Sequence, residues 1–331
     1  MATDLATPAR APHRGRGTLL IVLSSVCFGS SGTIAKPAML AGLSPEQVAA
    51  ARIGLAALVL VVVAAVFRPR LLRVRRHEWP LLAGYGLLGV AGVQLCYFVA
   101  AGRLPVSVAI LLEFTSPVLI ALWTRLRGTK LPGRMWFGIA LAMTGLAFVA
   151  RIWEGLSLDA MGLLAGLGAA VCSAGYFLFG EHGATTRDPL GVVTWGMVIG
   201  AIAVCAVAPP WTLPAAVLSA PAGLGPWQPP VWVLLVAVAL FSTVLAYALG
   251  TSALRHLPAS VASVVGLLEP LVATATAWAL LGESLTWPQL LGAVVLLGGA
   301  TIVQNVHSRQ FVRDAAHEQL GVAQERPASA P

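Results

Sequence analysis

Leu104-Pro105-Val106-Ser107-Val108-Ala109 recurs as Leu257-Pro258-Ala259-Ser260-Val261-Ala262. At the same offset Pro117 matches Pro270 and Gly145 matches Gly298, while Val26-Cys27 is matched by Val171-Cys172 near the start of the second half. A Leu-Pro followed twelve residues later by a second Pro does not arise easily among Ala-, Leu- and Val-rich segments, so the two halves read as copies of one unit.

Each copy sits in long apolar runs. They cover residues 18–37, 45–67, 80–101, 105–124, 133–152, 159–180, 190–208, 230–251, 258–281 and 287–306. A helix needs about 20 mostly apolar residues to cross lipid. These runs fit that length and lack the two-residue alternation of barrel strands. The expected fold is all-α and integral to the membrane, with ten transmembrane helices. Five runs per copy is an odd number, so the second copy must enter the bilayer upside down, and the two inverted five-helix repeats would enclose a central cavity. The expected units are a tail at 1–17, a first repeat at 18–152, a second at 153–306 and a disordered tail at 307–331.

Composition agrees. Of 331 residues 58% are hydrophobic and 10% charged, where a soluble domain carries about 25% charged. The mean hydropathy is +0.84. The net charge of +8 could suggest nucleic acid, but the basic residues form short clusters between apolar runs, so no nucleic-acid partner is expected. Seventeen Lys and Arg fall on one side of the expected spans, among them Arg68, Arg70, Arg73, Arg75, Arg76, Arg125, Arg127 and Arg134. Only Lys36, Arg103 and Arg151 fall on the other. The positive-inside rule then puts both termini in the cytoplasm. The Arg- and Ala-rich usage suggests a bacterial inner membrane. Eight of the ten tryptophans fall at span ends, as an interfacial belt requires, with Trp195 and Trp278 inside spans.

Four cysteines, Cys27, Cys96, Cys172 and Cys205, lie in apolar stretches without metal-ligand spacing. They read as structural thiols. The six histidines are scattered, and no GxSxG, HExxH or phosphate-binding loop occurs. An enzyme is therefore not expected, and neither is a cofactor or a metal.

Ionisable groups inside a span are costly and mark cavities or partners. Arg52, Glu113 and Glu269 are such groups. Glu269 precedes Pro270, and Glu113 lies four residues before Pro117. Proline removes a donor and frees a carbonyl one turn back, and a carboxyl beside such a break can exchange a proton or hold a cationic substrate group. In the repeat Glu113 aligns with Gly266, not with Glu269, which suits a single titrating site. Arg52 is a candidate for a substrate carboxylate, for pairing with Glu113, or for reaching outward to the headgroups. Lys36 is a boundary charge or a substrate contact. Gln94 with Tyr97, Ser173 with Tyr176, and Thr243 with Tyr247 put a polar group beside a phenol on one helix face. They would line a solvated cavity or hydrogen-bond between helices. Gly138, Gly145, Gly292 and Gly299 mark packing helices and a candidate homodimer contact.

These residues carry a family likeness. The chain resembles the drug/metabolite transporter superfamily, EamA type, from about 18 to 304. The likeness rests on Phe28-Gly29-Ser30-Ser31-Gly32, Ala51-Arg52, Glu113-Phe114-Thr115-Ser116-Pro117, Leu268-Glu269-Pro270 and Leu281-Gly282-Glu283-Ser284-Leu285-Thr286. The first half departs at Gly128-Thr129-Lys130-Leu131, where the family often has Gly-Glu-x-Leu, so Lys130 and Glu283 are not equivalents. The resemblance implies ten helices around a central cavity and the export or exchange of small solutes. Leu112-Glu113-Phe114-Thr115 is also similar to the threonine/homoserine exporter branch. The expected function is secondary active transport of a small metabolite, an amino acid or related solute, by alternating access with proton coupling. A channel, a lipid flippase or an integral membrane enzyme are the alternatives. Lacking an ATP-binding motif, uphill transport would draw on a gradient.

Overall fold

The computed structural model describes residues 14–324 apart from Lys130, 155–158, Glu283 and Leu285. Much of the expected N-terminal tail, the end of the C-terminal one, and the compared pair Lys130 and Glu283 lie outside the described residues. Within them the chain is helical, without a strand, and two isolated bridges pin the segment between Pro221 and Pro230.

The first helix α1 (Arg14–Leu40) hands over to α2 (Pro45–Phe67) through a capping box. Ser44 Oγ accepts from the Gln47 amide at 3.2 Å and Gln47 Oε1 accepts from the Ser44 amide at 3.0 Å. Pro45 takes the first helical position, where no donor is needed. The third span is α3 (Trp79–Gly84), a π-helical stretch (Tyr85–Gly92) and α4 (Val93–Ala101). Then come α5 (Val106–Glu113), α6 (Ser116–Leu126) and α7 (Gly133–Val149). The second half starts with α8 (Ala160–Thr186) and α9 (Pro189–Val207), whose first amides are capped by Asp159 and Asp188. A short α10 (Ala215–Ser219) precedes the eighth span, which is α11 (Val231–Ala239), a π-helical stretch (Leu240–Leu245) and α12 (Ala246–Ala253). It is followed by α13 (Ala259–Gly266), α14 (Leu268–Leu281) and α15 (Trp287–Gln324).

Among the described residues nine segments are long and apolar enough to cross a membrane. The tenth expected span is α7, an apolar helix of 17 residues and the shortest of the set. Helix α15 runs beyond the expected end at 306 as far as Gln324, so most of the expected tail is helical.

Irregularities occur in pairs. The third and eighth spans both loosen into π geometry. The fourth and ninth both break: at Phe114-Thr115 between α5 and α6, and at Leu267 between α13 and α14. Pro117 was an expected break point in the run over 105–124, and it follows the first of these breaks: its ring nitrogen cannot donate to the Glu113 carbonyl. Neighbours pair likewise. Helix α1 packs on the eighth and ninth spans, and α8 packs on the third and fourth. Helix α2 meets α9, and α7 meets α15. Exchange the two five-helix groups and this set of neighbours is unchanged.

The α7–α15 contact explains the glycines. A Cβ on Gly145 would meet the Leu296 backbone, and one on Gly292 would lie 2.7 Å from the Gly145 carbonyl. These glycines, candidates for contact with a second copy, are spent on each other inside the chain.

Loop contacts sort the connections into two faces. Gln47 Nε2 donates to the Thr212 carbonyl at 3.2 Å, and Arg103 pairs with Asp159 at 3.7 Å. On the other face Arg187 pairs with Glu78 at 2.8 Å, Arg68 with Asp188 at 3.8 Å, and Arg255 Nε donates to the Ala184 carbonyl at 2.9 Å. The arginine-rich segment 68–76 lies on this second face. Between the faces the outward surface is apolar; Leu58, Val62 and Val66 form an exposed stripe along α2, as a lipid contact requires.

Candidate functional site

Two breaks and one long helix build the site. Glu113 ends α5, and Glu269 stands in the first turn of α14, just past the break at Leu267. The N-terminal dipole of α14 favours a carboxylate there. Pro117 and Pro270 each take an early position in the second half-helix, where a missing donor costs little.

Both acids line a chamber of about 910 Å³. Its wall includes Arg52 from α2, Gln94 and Tyr97 from α4, and Ser31 from α1. Near its mouth stand Glu46, Gly102, Ala150 and Gln289, which belong to the face opposite the arginine-rich one. The chamber is open on that face. At its bottom it meets a smaller cavity of about 90 Å³. Phe28, Val93, Gln94, Glu113, Phe114 and Glu269 line both, forming a ring between them. Along α1 the lining runs from Met39 through Ser31 to Phe28 in the outer chamber, then on to Ser24 and Ile21 in the inner one.

The structure thus brings together Arg52, Gln94, Tyr97, Glu113 and Glu269 around one space, and Tyr176 and Tyr247 at the inner end. Lys36 does not join them. Its side chain is exposed and it lines neither cavity.

Arg52 differs from one expectation. Its Nη1 donates to Ser31 Oγ at 2.6 Å. Among the described residues it forms no ion pair, so the expected direct pairing with Glu113 is absent, and the guanidinium does not reach out to the headgroups. Glu113 and Glu269 act on it through space. Its Nε is buried without a partner. With one donor spent on Ser31 and Nε unpartnered, the rest of the planar fork suits a planar anion such as a carboxylate. Neither Glu113 nor Glu269 accepts a hydrogen bond from another described residue; both face the space they line.

The tyrosines close the inner end. Tyr247 OH donates to the Gly89 carbonyl at 3.1 Å and its ring meets Phe28 edge-on at 4.9 Å. Tyr176 packs between Tyr85 and Tyr247, with centroids 5.7 and 5.5 Å away. Tyr85 OH bonds Thr251 Oγ1 at 2.7 Å. Thr243 leaves the expected cavity set: its hydroxyl donates to the Val238 carbonyl five residues back, satisfying the π turn. Sequence reasoning did not single out Ser24, Ser25, Ser116 and Ser263, which line the inner cavity with Ser173. They come from four different helices, α1, α6, α8 and α13, so no local spacing announces them.

All four cysteines are free thiols, buried or half-buried. Among the described residues no cluster of His, Cys, Asp and Glu could hold a metal.

Comparison with known proteins accords with this arrangement. The EamA-like transporter family matches twice, over residues 15–151 and 160–304. A threonine/homoserine exporter of Escherichia coli, RhtA, is 30% identical over 295 residues, covering 88% of this chain and 92% of its own. The same exporter from Salmonella typhimurium is 30% identical over 283 residues, with 85% and 88% covered. A solved crystal structure sharing 17% identity superposes with a TM-score of 0.71 over 90% of this chain and 99% of that one, which shows a common fold. The family and the names of these relatives are those of transporters and not of enzymes. Its two matched halves coincide with the two five-helix groups, and the chain belongs to the EamA-like transporter family.

Proposed function

We propose that the protein is a secondary exporter or exchanger of a small amino acid or related solute, working by alternating access and coupled to protons. The observation that carries this reading is the juxtaposition of one guanidinium and two carboxylates around one chamber whose lining reaches the face opposite the arginine-rich one. An amino acid presents the complementary pair of charges. Its carboxylate would take the free edge of Arg52, and its ammonium would lie toward Glu113 and Glu269. Names of the relatives, which are amino-acid exporters, support the same class.

Ten spans, α7 included, would form two inverted five-helix repeats. Both termini would lie in the cytoplasm of a bacterial inner membrane, and the chamber would face outside. Paired breaks and the exchangeable set of neighbours support the repeat, and the seventeen-to-three charge bias supports the orientation. In this outward-facing state the substrate leaves. A proton then takes its place on Glu113, neutralising the site for the return. Inward proton movement would thereby drive export.

Counterflow in proteoliposomes, screened across amino acids, nucleobases and sugars, tests the class. Saturable exchange of amino acids is expected. Saturable exchange confined to another class, or enzymatic turnover instead, would refute it.

A further inference from the structure

Most hydroxyls lining the inner cavity are already satisfied. Ser24 Oγ donates to the Ala246 carbonyl at 2.8 Å, Ser25 Oγ to the Ile21 carbonyl at 2.9 Å, and Ser173 Oγ to Ser116 Oγ at 3.1 Å. Two are not. Ser263 Oγ is buried without a partner, and the buried Tyr176 OH makes no hydrogen bond of good geometry, having beside it only Thr251, which is already bonded to Tyr85; the residues are 2% and 8% exposed. Both line the cavity. A buried hydroxyl without a partner is unfavourable, so each is a donor kept for something that enters.

The entrant is bounded in size and charge. The cavity is small, about 90 Å³ against about 910 Å³ for the outer chamber, which favours a small side chain over an aromatic or long basic one. Glu113 and Glu269 at the entrance repel an acidic one. The cavity starts at the carboxylate ring, where the ammonium of a bound amino acid would lie, so a side chain can point into it while Arg52 keeps the carboxylate above.

We propose that this serine-lined cavity is the side-chain subsite of the transported amino acid, taking a small uncharged side chain that hydrogen-bonds Tyr176 and Ser263. This rests on the amino-acid reading above and adds the residues that select the side chain. Gly250 is a positioning residue for it. A Cβ there would collide with the Tyr176 hydroxyl and lie 2.8 Å from Ser24 Oγ, so Gly250 lets Tyr176 sit back and sets the depth of the subsite.

The test uses an isosteric pair. Threonine and valine have the same shape and differ by one hydroxyl, and their KM ratio in counterflow reads the subsite alone. Wild type is expected to favour threonine by about tenfold to a hundredfold, the worth of one or two buried hydrogen bonds. Tyr176→Phe and, separately, Ser263→Ala should pull that ratio toward one. Gly250→Ala should raise KM for threonine more than for alanine, by moving Tyr176 into the space. Melting temperature and residual valine counterflow report folding, and Ser263→Ala serves if Tyr176→Phe is unstable. Unchanged threonine/valine ratios in both hydroxyl variants would overturn the subsite. Absence of any amino-acid counterflow in wild type would overturn the underlying reading instead.

Discussion

Pro117 stands four residues after Glu113 and deprives the Glu113 carbonyl of its helical donor, so the acid and the break in its helix are one feature. Pro270 does the same to Gly266 in the second half, but there the acid, Glu269, stands on the far side of the break. Equivalent breaks therefore carry non-equivalent carboxylates. One group projects from the end of a half-helix and the other from the start of the next.

Mending a break should separate stability from transport. Pro117→Ala restores a donor for the Glu113 carbonyl and lets α5 run into α6. Its thermal midpoint in detergent should rise, and its maximal counterflow rate should fall at least tenfold if the break is a moving part. Equal rates in variant and wild type would mark the break as ornamental.

Arg52 should not tolerate lysine. A lysine ammonium can replace the contact with Ser31 but not offer a planar fork to a carboxylate. Loss of one charge-assisted hydrogen bond is worth about 1.5–3 kcal/mol, so KM for an amino acid should rise about tenfold to a hundredfold in Arg52→Lys. An unchanged KM would remove Arg52 from the substrate site.

Arg187 closes the face opposite the chamber mouth. Besides Glu78 it binds the carbonyls of Leu71 and Arg73, tying the segment after α2 to the end of α8. Arg187→Ala should cost about 1.5–3 kcal/mol of the closed arrangement. A cysteine at Ser263, in a background without the four native cysteines, should then react faster with a hydrophilic thiol reagent supplied from the arginine-rich face. No change in labelling rate would show that this network does not hold that face shut.

Orientation is open to a direct check. An impermeant thiol reagent on intact cells should label a cysteine placed at Gly223 and spare one placed at Arg70. Labelling of both from one side would contradict the two-faced arrangement of loops.

Much of this was legible in the sequence, for physical reasons. Span length and composition are set by the bilayer, so the long helices fall where the apolar runs fall. Buried ionisable groups are rare, so Arg52, Glu113 and Glu269 stand out without a structure, and all three line the chamber. Contacts between distant helices were not legible. The partner of Arg52 is Ser31, 21 residues away and ordinary in sequence. Thr243 looked like a cavity residue because of its spacing from Tyr247, but the π turn offered its hydroxyl a local carbonyl. Arg187 is one of the seventeen basic residues counted for topology and has no local signal of its own; its bond to Glu78 spans 109 residues.

The most direct test is pH-gradient-driven efflux of a counterflow-positive amino acid from proteoliposomes, comparing wild type with Glu113→Gln. With the outside acidic, protons moving in should accelerate wild-type efflux. Glu113→Gln keeps the shape of the side chain and cannot carry the proton, so the gradient should no longer accelerate its efflux. Full gradient-driven flux in Glu113→Gln would contradict the account.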